Sequence, residues 1–484
     1  MFIGRSKELN IINKNLLVPN KHIIIYGNRR VGKTTLANTA AINSKLEFIS
    51  FECLRSSLKD NIDGLTKALL DSGIITSFIA FNSFVDLFRY LNSLNRHIVI
   101  IIDEYPYLYV KNNKDVVDSV FQTIIDNYSS NLNIIISGSH IGMMKTLIKE
   151  GNPLFGRFNT IIPLKELNYY EASLFCPNLS NYDKASFYAV FGGSPFILRQ
   201  LDYTKSLEEN IKNTFLNNTS SINLFVSENY TSDITTKTAA NRIFEILSNS
   251  KEKHNRIEEL LGYEHNGLLS KQLELLIDME FIGKNEPINK IGDKKKVTYF
   301  IKNNALRFYF AFIYGKSNTL SLIGPDAFFH NYIKEKLTTF IAFRFEDISK
   351  SFISILTQEG KLKDIYNIGS YYYDDPKNKT NGEFDVAIQN KDGFDIVEVK
   401  FLKGKVSQAI INEEIDQIGQ ISEIKIKDYG FISVNGFEDN VTKMKYMFTG
   451  DDLYFKNESY IQKIKEGEKE DISDVSSYNP NEKW

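Results

Sequence analysis

His22-Ile-Ile-Ile-Tyr-Gly-Asn-Arg-Arg-Val-Gly-Lys-Thr-Thr35 decides how the rest of the chain is read. Ile23 to Tyr26 form a short apolar run, as expected of a strand buried inside a parallel sheet. Gly27-Asn-Arg-Arg-Val-Gly-Lys-Thr34 then fills every fixed position of G-x-x-x-x-G-K-[ST], the phosphate-binding loop. Gly27 and Gly32 let the backbone curl so that successive N–H groups point inward at phosphate oxygens. A helix starting near Gly32 adds unpaired donors and its positive dipole end. Lys33 reaches the outer phosphates, and the Thr34 hydroxyl is a ligand for Mg²⁺. The nucleotide cradle is therefore assigned to Gly27, Asn28, Arg30, Gly32, Lys33, Thr34 and Thr35, with ATP and Mg²⁺ as cofactors.

Outward from this loop, His97-Ile-Val-Ile-Ile-Ile-Asp-Glu104 is a strand that runs without a polar break into two carboxylates. Asp103 at its end suits the Mg²⁺ water shell, and Glu104 suits orientation or deprotonation of the attacking water. A second strand is expected at Leu46–Glu52 and a third at Leu132–Ser139. The third ends in small hydroxylated residues, and Ser137 or Ser139 is the candidate polar sensor of the γ-phosphate. Leu154-Phe-Gly-Arg-Phe158 supplies Arg157, a candidate arginine finger.

Phosphate loop, Asp103-Glu-Tyr-Pro-Tyr-Leu108, Ser137-Gly-Ser-His-Ile-Gly-Met-Met144, Leu154-Phe-Gly-Arg157 and Phe191-Gly-Gly-Ser-Pro-Phe-Ile-Leu198 occur in that order. Together they resemble the AAA+/STAND ATPases first catalogued mainly from archaea, over roughly residues 1 to 460. Phe2-Ile-Gly-Arg5 resembles the leader that packs near the adenine in such enzymes. The resemblance carries the nucleotide roles onto Gly27, Gly32, Lys33, Thr34, Asp103 and Glu104, and the finger role onto Arg157. It implies ATP hydrolysis shared between subunits of a homo-oligomer.

Length and composition set the frame. A 484-residue chain is long enough for about three domains. Its 42% hydrophobic and 24% charged content are those of a globular protein, and a net charge of −2 gives no global attraction to nucleic acid or anionic lipid. Cys53 and Cys176 are far apart, which supports neither a zinc cluster nor a disulfide framework. The start has no signal-peptide core, and no apolar run approaches the ~18 residues of a membrane span. A cytoplasmic location is the expectation.

The predicted organisation is α/β throughout. Residues 1–165 form a P-loop NTPase parallel sheet, 166–232 a helical lid, 233–315 a winged-helix domain, 316–462 a restriction-endonuclease-like α/β domain, and 463–484 a polar tail. The winged helix rests on helices around Ala240–Leu247, Arg256–Leu261 and Leu268–Ile277, then two strands flanking a loop with Lys290, Lys294, Lys295 and Lys296. That basic wing suits DNA phosphates. The third helix carries Glu274 and Asp278, with Glu280 just beyond, poor company for groove reading.

The last domain offers a second site. Alternation along Gly382–Ile388 puts Glu383 and Asp385 on one face, with Phe384 and Val386 on the other. Along Phe394–Phe401 it pairs Glu398 with Lys400. Asp392-Gly393 between the strands is a hairpin signal, so Asp385 and Glu398 can converge. Two carboxylates and a lysine on one face suit a Mg²⁺ site beside a catalytic cation. The pattern is similar to the D…E-x-K constellation of restriction-type nucleases. In that likeness Asp385 and Glu398 are metal ligands, Lys400 is catalytic, and Glu346 on a preceding helix is the accessory carboxylate; Glu383 is the substitute ligand if the strand register is shifted by two. DNA is the implied partner.

Overall fold

Ile23, Ile25, Val99, Ile101 and Ile135 pack on one face of a single sheet, and Ile24, Ile100, Ile102, Ile134 and Ile136 pack on the other. A period of two with apolar residues at both phases buries a sheet on both sides, which is the condition for parallel strands covered by helices. Five strands form it: β1 (Ile23–Tyr26), β2 (Glu47–Glu52), β3 (Ile98–Asp103), β4 (Leu132–Gly138) and β5 (Thr160–Pro163). Their order is β2-β3-β4-β1-β5, and every pairing is parallel. The phosphate loop and Asp103 thus emerge from the same edge of the sheet. These observations come from a computed structural model describing residues 2–110, 113–229, 237–263, 267–375, 380–419 and 426–454. The polar tail assigned to 463–484 lies outside the described residues.

After β5 the chain turns helical, with Tyr169–Ser173, Asn181–Phe191, Pro195–Leu198 and Leu207–Asn213 in sequence. Ser180 and Ser206 cap two of them by accepting the N–H of Asp183 and Glu209. Helices Lys237–Leu247, His254–Leu261 and Leu268–Asp278 come next. They accompany a small antiparallel sheet of β6 (Glu252–Lys253), β7 (Ile282–Asn285) and β8 (Thr298–Ile301), ordered β6-β8-β7. β6, two residues long, is too short for periodicity to reveal.

A 25-residue helix, Lys334–Gln358, leads into the last sheet. Its strands are β9 (Ile365–Asp375), β10 (Thr380–Asn390), β11 (Gly393–Lys400), β12 (Ile426–Ser433) and β13 (Tyr446–Thr449), in the order β13-β12-β11-β10-β9. β9-β10-β11 are antiparallel, whereas β11-β12-β13 are parallel, with helix Gln408–Gly419 between β11 and β12.

Strict alternation in β10 fails. Its pairing with β9 shifts between Phe384 and Ala387. Val386 therefore joins the main core beside Ile388 and Val397, while Phe384 packs with Ala387 and Ile396 on the other side. The expectation that Phe384 and Val386 share a face is corrected: a bulge at Asp385–Val386 adds a residue and re-aims the remainder of the strand.

Candidate functional site

The loop between β1 and helix Lys33–Ser44 closes tightly. A Cβ on Gly27 would run into the Leu164 carbonyl at the end of β5, and Gly32 takes φ 95° as it caps the helix. Both glycines are required by the backbone path. Lys33 is buried and its ammonium donates to the carbonyls of Gly27 (3.1 Å) and Asn28 (3.0 Å). The Thr34 hydroxyl donates to Asp103 Oδ2, and Ser137 donates to Asp103 Oδ1. Thr34 and Asp103, far apart in sequence, thus meet directly. This hydroxyl–carboxylate pair is a donor set that fits Mg²⁺ between them.

Glu104 adopts φ 48°, ψ 45°, a left-handed conformation that costs a non-glycine residue on the order of 1–2 kcal/mol. Its carboxylate is held by Ser139, through the backbone N–H (3.0 Å) and the hydroxyl (2.8 Å). Behind it, buried Asp118 accepts from the hydroxyls of Tyr105 (3.0 Å) and Tyr109 (2.7 Å) and from Asn152 (2.8 Å), fixing the turn Tyr105–Leu108.

A cavity of about 620 Å³ opens over the loop, of a size suited to a nucleotide. Arg30, Gly32, Lys33, Thr34, Thr35 and Glu104 line it, and Phe2, Ile3, Leu167 and Phe175 supply its apolar part. The leader is therefore at the cavity, as its resemblance implies. Arg5 also borders it while itself buried, donating to the carbonyls of Val31 and Lys165. The Arg30 guanidinium lies 3.7 Å from the ring centre of Phe196 and 4.9 Å from that of Phe225. Arg157 does not line this cavity. It makes a two-pronged pair with Asp126 (2.9 and 2.8 Å) on the surface.

Two lining residues escape motif reading. Glu52 ends β2 opposite Asp103 in register, and burial together with the charges of Asp103 and Glu104 lifts its carboxyl above the usual range. Arg199 lies one helical turn past Pro195 at the cavity wall. The signals were a strand end shared with Asp103 and a cation just after the Gly-Gly-Ser-Pro turn.

The last domain gathers its predicted residues around a second cavity of about 200 Å³, lined by Glu346, Glu383, Asp385 and Glu398, with Glu414 from helix Gln408–Gly419. Lys400 donates to Glu398 (3.2 Å) and to Glu414. Glu414 was not foreseen, because it lies beyond the hairpin pattern. Burial, then the charge of Asp385, pushes the Glu346 carboxyl up to about 9, and burial also raises that of Glu398. An unforeseen cation enters from the small antiparallel sheet. Lys251, just before β6, stands 2.8 Å from Asp385 and 3.8 Å from Glu383. Among the described residues, no three His, Cys, Asp or Glu side chains are already grouped to hold a metal ion.

The basic loop between β7 and β8 is partly engaged. Ile288 N–H donates to the Ser370 carbonyl (2.7 Å), Asn289 bonds both ways with the Tyr372 backbone, and Lys296 lies 3.8 Å from the Tyr372 ring centre. The acids at the end of the third helix face the first domain, where Lys145 meets Asp278 at 2.7 Å and Lys165 meets Glu280 at 3.8 Å. Among the described residues no helix is long and apolar enough to cross a membrane.

Residues 2–201 match a family described as an ATPase domain predominantly from Archaea, and residues 309–415 match one described as archaeal and bacterial proteins of unknown function. An uncharacterized protein of Methanocaldococcus jannaschii is 30% identical over 370 residues, 75% of this chain and 79% of that protein. Among solved structures, a Walker-type ATPase of Pyrococcus abyssi is similar with a TM-score of 0.50 at 18% identity, covering 64% of this chain and 96% of that one. The ORC2 protein of Aeropyrum pernix, in ADPNP–ADP complexes, gives 0.43 at 10% identity over 63% of this chain and 92% of its own, too low to carry an argument. With a complete phosphate loop, a paired Thr34 and Asp103, the family match over residues 2–201 and the 30% identical relative, the chain belongs to the ATPase family found predominantly in Archaea.

Proposed function

We propose that the chain is a Mg²⁺-dependent ATPase whose nucleotide cycle acts, through a winged-helix domain, on a metal-dependent DNA nuclease site in its last domain. The observation that carries the first half is the direct Thr34–Asp103–Ser137 hydrogen-bond chain beside the 620 Å³ cavity. Loop N–H groups and Lys33 bind the phosphates, Thr34 and Asp103 would hold Mg²⁺, and Glu104 takes the proton of the attacking water once Ser139 releases it. Bound Mg²⁺ supplies charge neutralisation at the β- and γ-oxygens. Arg157, already on the surface, is suited to reach a neighbouring subunit's nucleotide in a homo-oligomer.

The second half rests on the convergence of Glu346, Asp385 and Glu398 on one cavity, with Lys400 paired to Glu398. Asp385 and Glu398 would hold the divalent cation, with Glu383 as substitute ligand and Glu346 as outer-shell helper. The ammonium of Lys251 beside Asp385 and Glu383 supports the reading that these oxygens favour a cation. Lys400 offsets the charge that develops on an attacked phosphate. The helix–strand–helix–helix–hairpin order of residues 237–301 supports the winged-helix assignment.

A second reading, a nucleotide-controlled switch whose last domain only binds DNA or protein, is favoured by one observation. The basic wing is tied to β9, and acids of the third helix pair with the first domain. Incubation with plasmid, Mg²⁺ or Mn²⁺ and ATP separates the two. Wild type should nick or cut DNA, while Asp385→Asn abolishes cleavage and leaves ATP hydrolysis intact. Absence of cleavage of every DNA form, with and without ATP, leaves the switch.

A further inference from the structure

We infer that Lys251 is the resident counter-ion of the acidic cavity and competes with a divalent cation for Asp385, so that docking of the small antiparallel sheet and metal binding exclude each other. This rests on the metal reading of that cavity and adds its regulation.

The contact crosses between two parts of the fold. Lys251 lies just ahead of β6, whereas Asp385 sits in the bulge of β10, 134 positions on. Its ammonium is 2.8 Å from Asp385 and 3.8 Å from Glu383, and its side chain is only 24% exposed. A half-buried ammonium and half-buried carboxylates are each poorly solvated when parted, so Lys251 and these carboxylates hold one another. A second residue of the same small sheet supports the dock: Asn285 on β7 donates to Glu383 Oε1 (2.8 Å) and to Ser370 (3.0 Å).

Charge explains why the competition has a defined loser. Five carboxylates line the cavity, and among the described residues Lys251 and Lys400 are the lysines paired with them. Lys400 sits on β11 beside Glu398, so it stays with the sheet whatever the small domain does. Lys251 is carried by the other domain and can leave. A hard divalent cation needs carboxylate oxygens at about 2.0–2.6 Å. The Asp385 oxygen aimed at Lys251 is then already taken by an ammonium of the same sign as the metal, and the two repel at that separation. Withdrawal of Lys251 leaves an acidic face with an excess of negative charge, which a divalent cation neutralises. The small sheet is in turn anchored to the first domain by Lys145–Asp278 and Lys165–Glu280. A change in that anchorage on the nucleotide cycle is therefore able to reach the cavity through Lys251.

The test is Mn²⁺ binding to the full-length chain without nucleotide, monitored by electron paramagnetic resonance of free Mn²⁺. Wild type, Lys251→Met, Lys251→Arg and Asp385→Asn are compared, along with the Lys251→Met/Asp385→Asn pair. Met keeps the length and apolar stem while removing the charge, and Arg keeps the charge. Lys251→Met should bind the Asp385-dependent Mn²⁺ at least tenfold more tightly than wild type, with Lys251→Arg close to wild type. Adding Asp385→Asn should erase the gain. Equal Asp385-dependent affinity in wild type and Lys251→Met overturns the competition and leaves the metal reading standing. Absence of Asp385-dependent binding in both overturns the competition and the metal reading together.

Discussion

At the residue scale, His22 shows how the sheet commits a titratable group before the phosphate loop begins. Its ring is buried where β1 starts, with Nδ1 accepting the Ile134 N–H of β4 (3.2 Å) and Nε2 facing Asn20 Oδ1 (3.0 Å). A proton on Nδ1 would break the bond to β4. Burial, helped by Lys21, pulls the imidazole down from 6.5 to about 4. A depressed folded value means the unfolded chain binds more protons between those limits. The stability His22 contributes is therefore complete above pH 6.5 and is lost as pH falls through about 4. The loss amounts to roughly 3 kcal/mol at 1.36 kcal/mol per pH unit. Corrected for the intrinsic exchange rate at each pH, the protection of β1 and β4 amides should fall on acidification over that window in wild type and much less in His22→Gln. An identical pH slope in both proteins would show that another group sets it. His22 was legible only as the residue before an apolar run, because its partners Asn20, Ser129 and Ile134 are contributed by separate segments.

At the element scale, the joint between phosphate loop and lid is built on Arg30. Phe196 lies just after Pro195 in the short helix Pro195–Leu198, and Phe225 comes directly after helix Ser221–Leu224, so one guanidinium pins both to the loop. A cation–π contact of this kind contributes about 0.5–2 kcal/mol. Phe196→Leu should raise the KM for ATP by roughly 2- to 30-fold, with a smaller effect on kcat, at 1.4 kcal/mol per decade. Arg30→Lys should fall between wild type and Arg30→Ala, since lysine keeps the charge but not the flat stacking surface. An unchanged KM in Phe196→Leu removes the clamp. Strands β1 and β3 were readable because runs without a polar break, rich in isoleucine, end at Gly27 and at Asp103-Glu104. β12 carries Lys427 and Asp428 before Gly430-Phe-Ile-Ser433, and β13 has four residues, so neither offers a clear period. The bulge at Asp385–Val386 was equally hidden, since a single inserted residue is defined only against the partner strand.

For the whole molecule, the hydrophobic cores divide the chain more simply than its motifs do. The first sheet has one core on each face, a third runs from Leu167 to Tyr454 through the helices after β5, the small sheet and the last domain, and two smaller clusters lie around Ile396 and Phe431. Tyr169 meets Tyr454 with ring centres 5.7 Å apart, and Tyr182 stacks on Phe401 at 4.4 Å. The boundaries drawn from sequence at 232 and 315 separate folding patterns that share this apolar core. Long-range pairings such as these, like Lys251 with Asp385, leave no local signal. Nucleotide-driven motion is expected across the cavity bordered by Arg199 and Glu104, and at the polar Lys251–Asp385 contact between the small sheet and β10. Turnover at this cavity is the claim on which the rest depends. Phosphate release should be measured under saturating Mg·ATP for wild type and Glu104→Gln, with ATP binding measured on the same preparations. The account predicts that Glu104→Gln binds ATP as wild type does while kcat falls by about 10²–10⁴. Undiminished phosphate release from Glu104→Gln would contradict it.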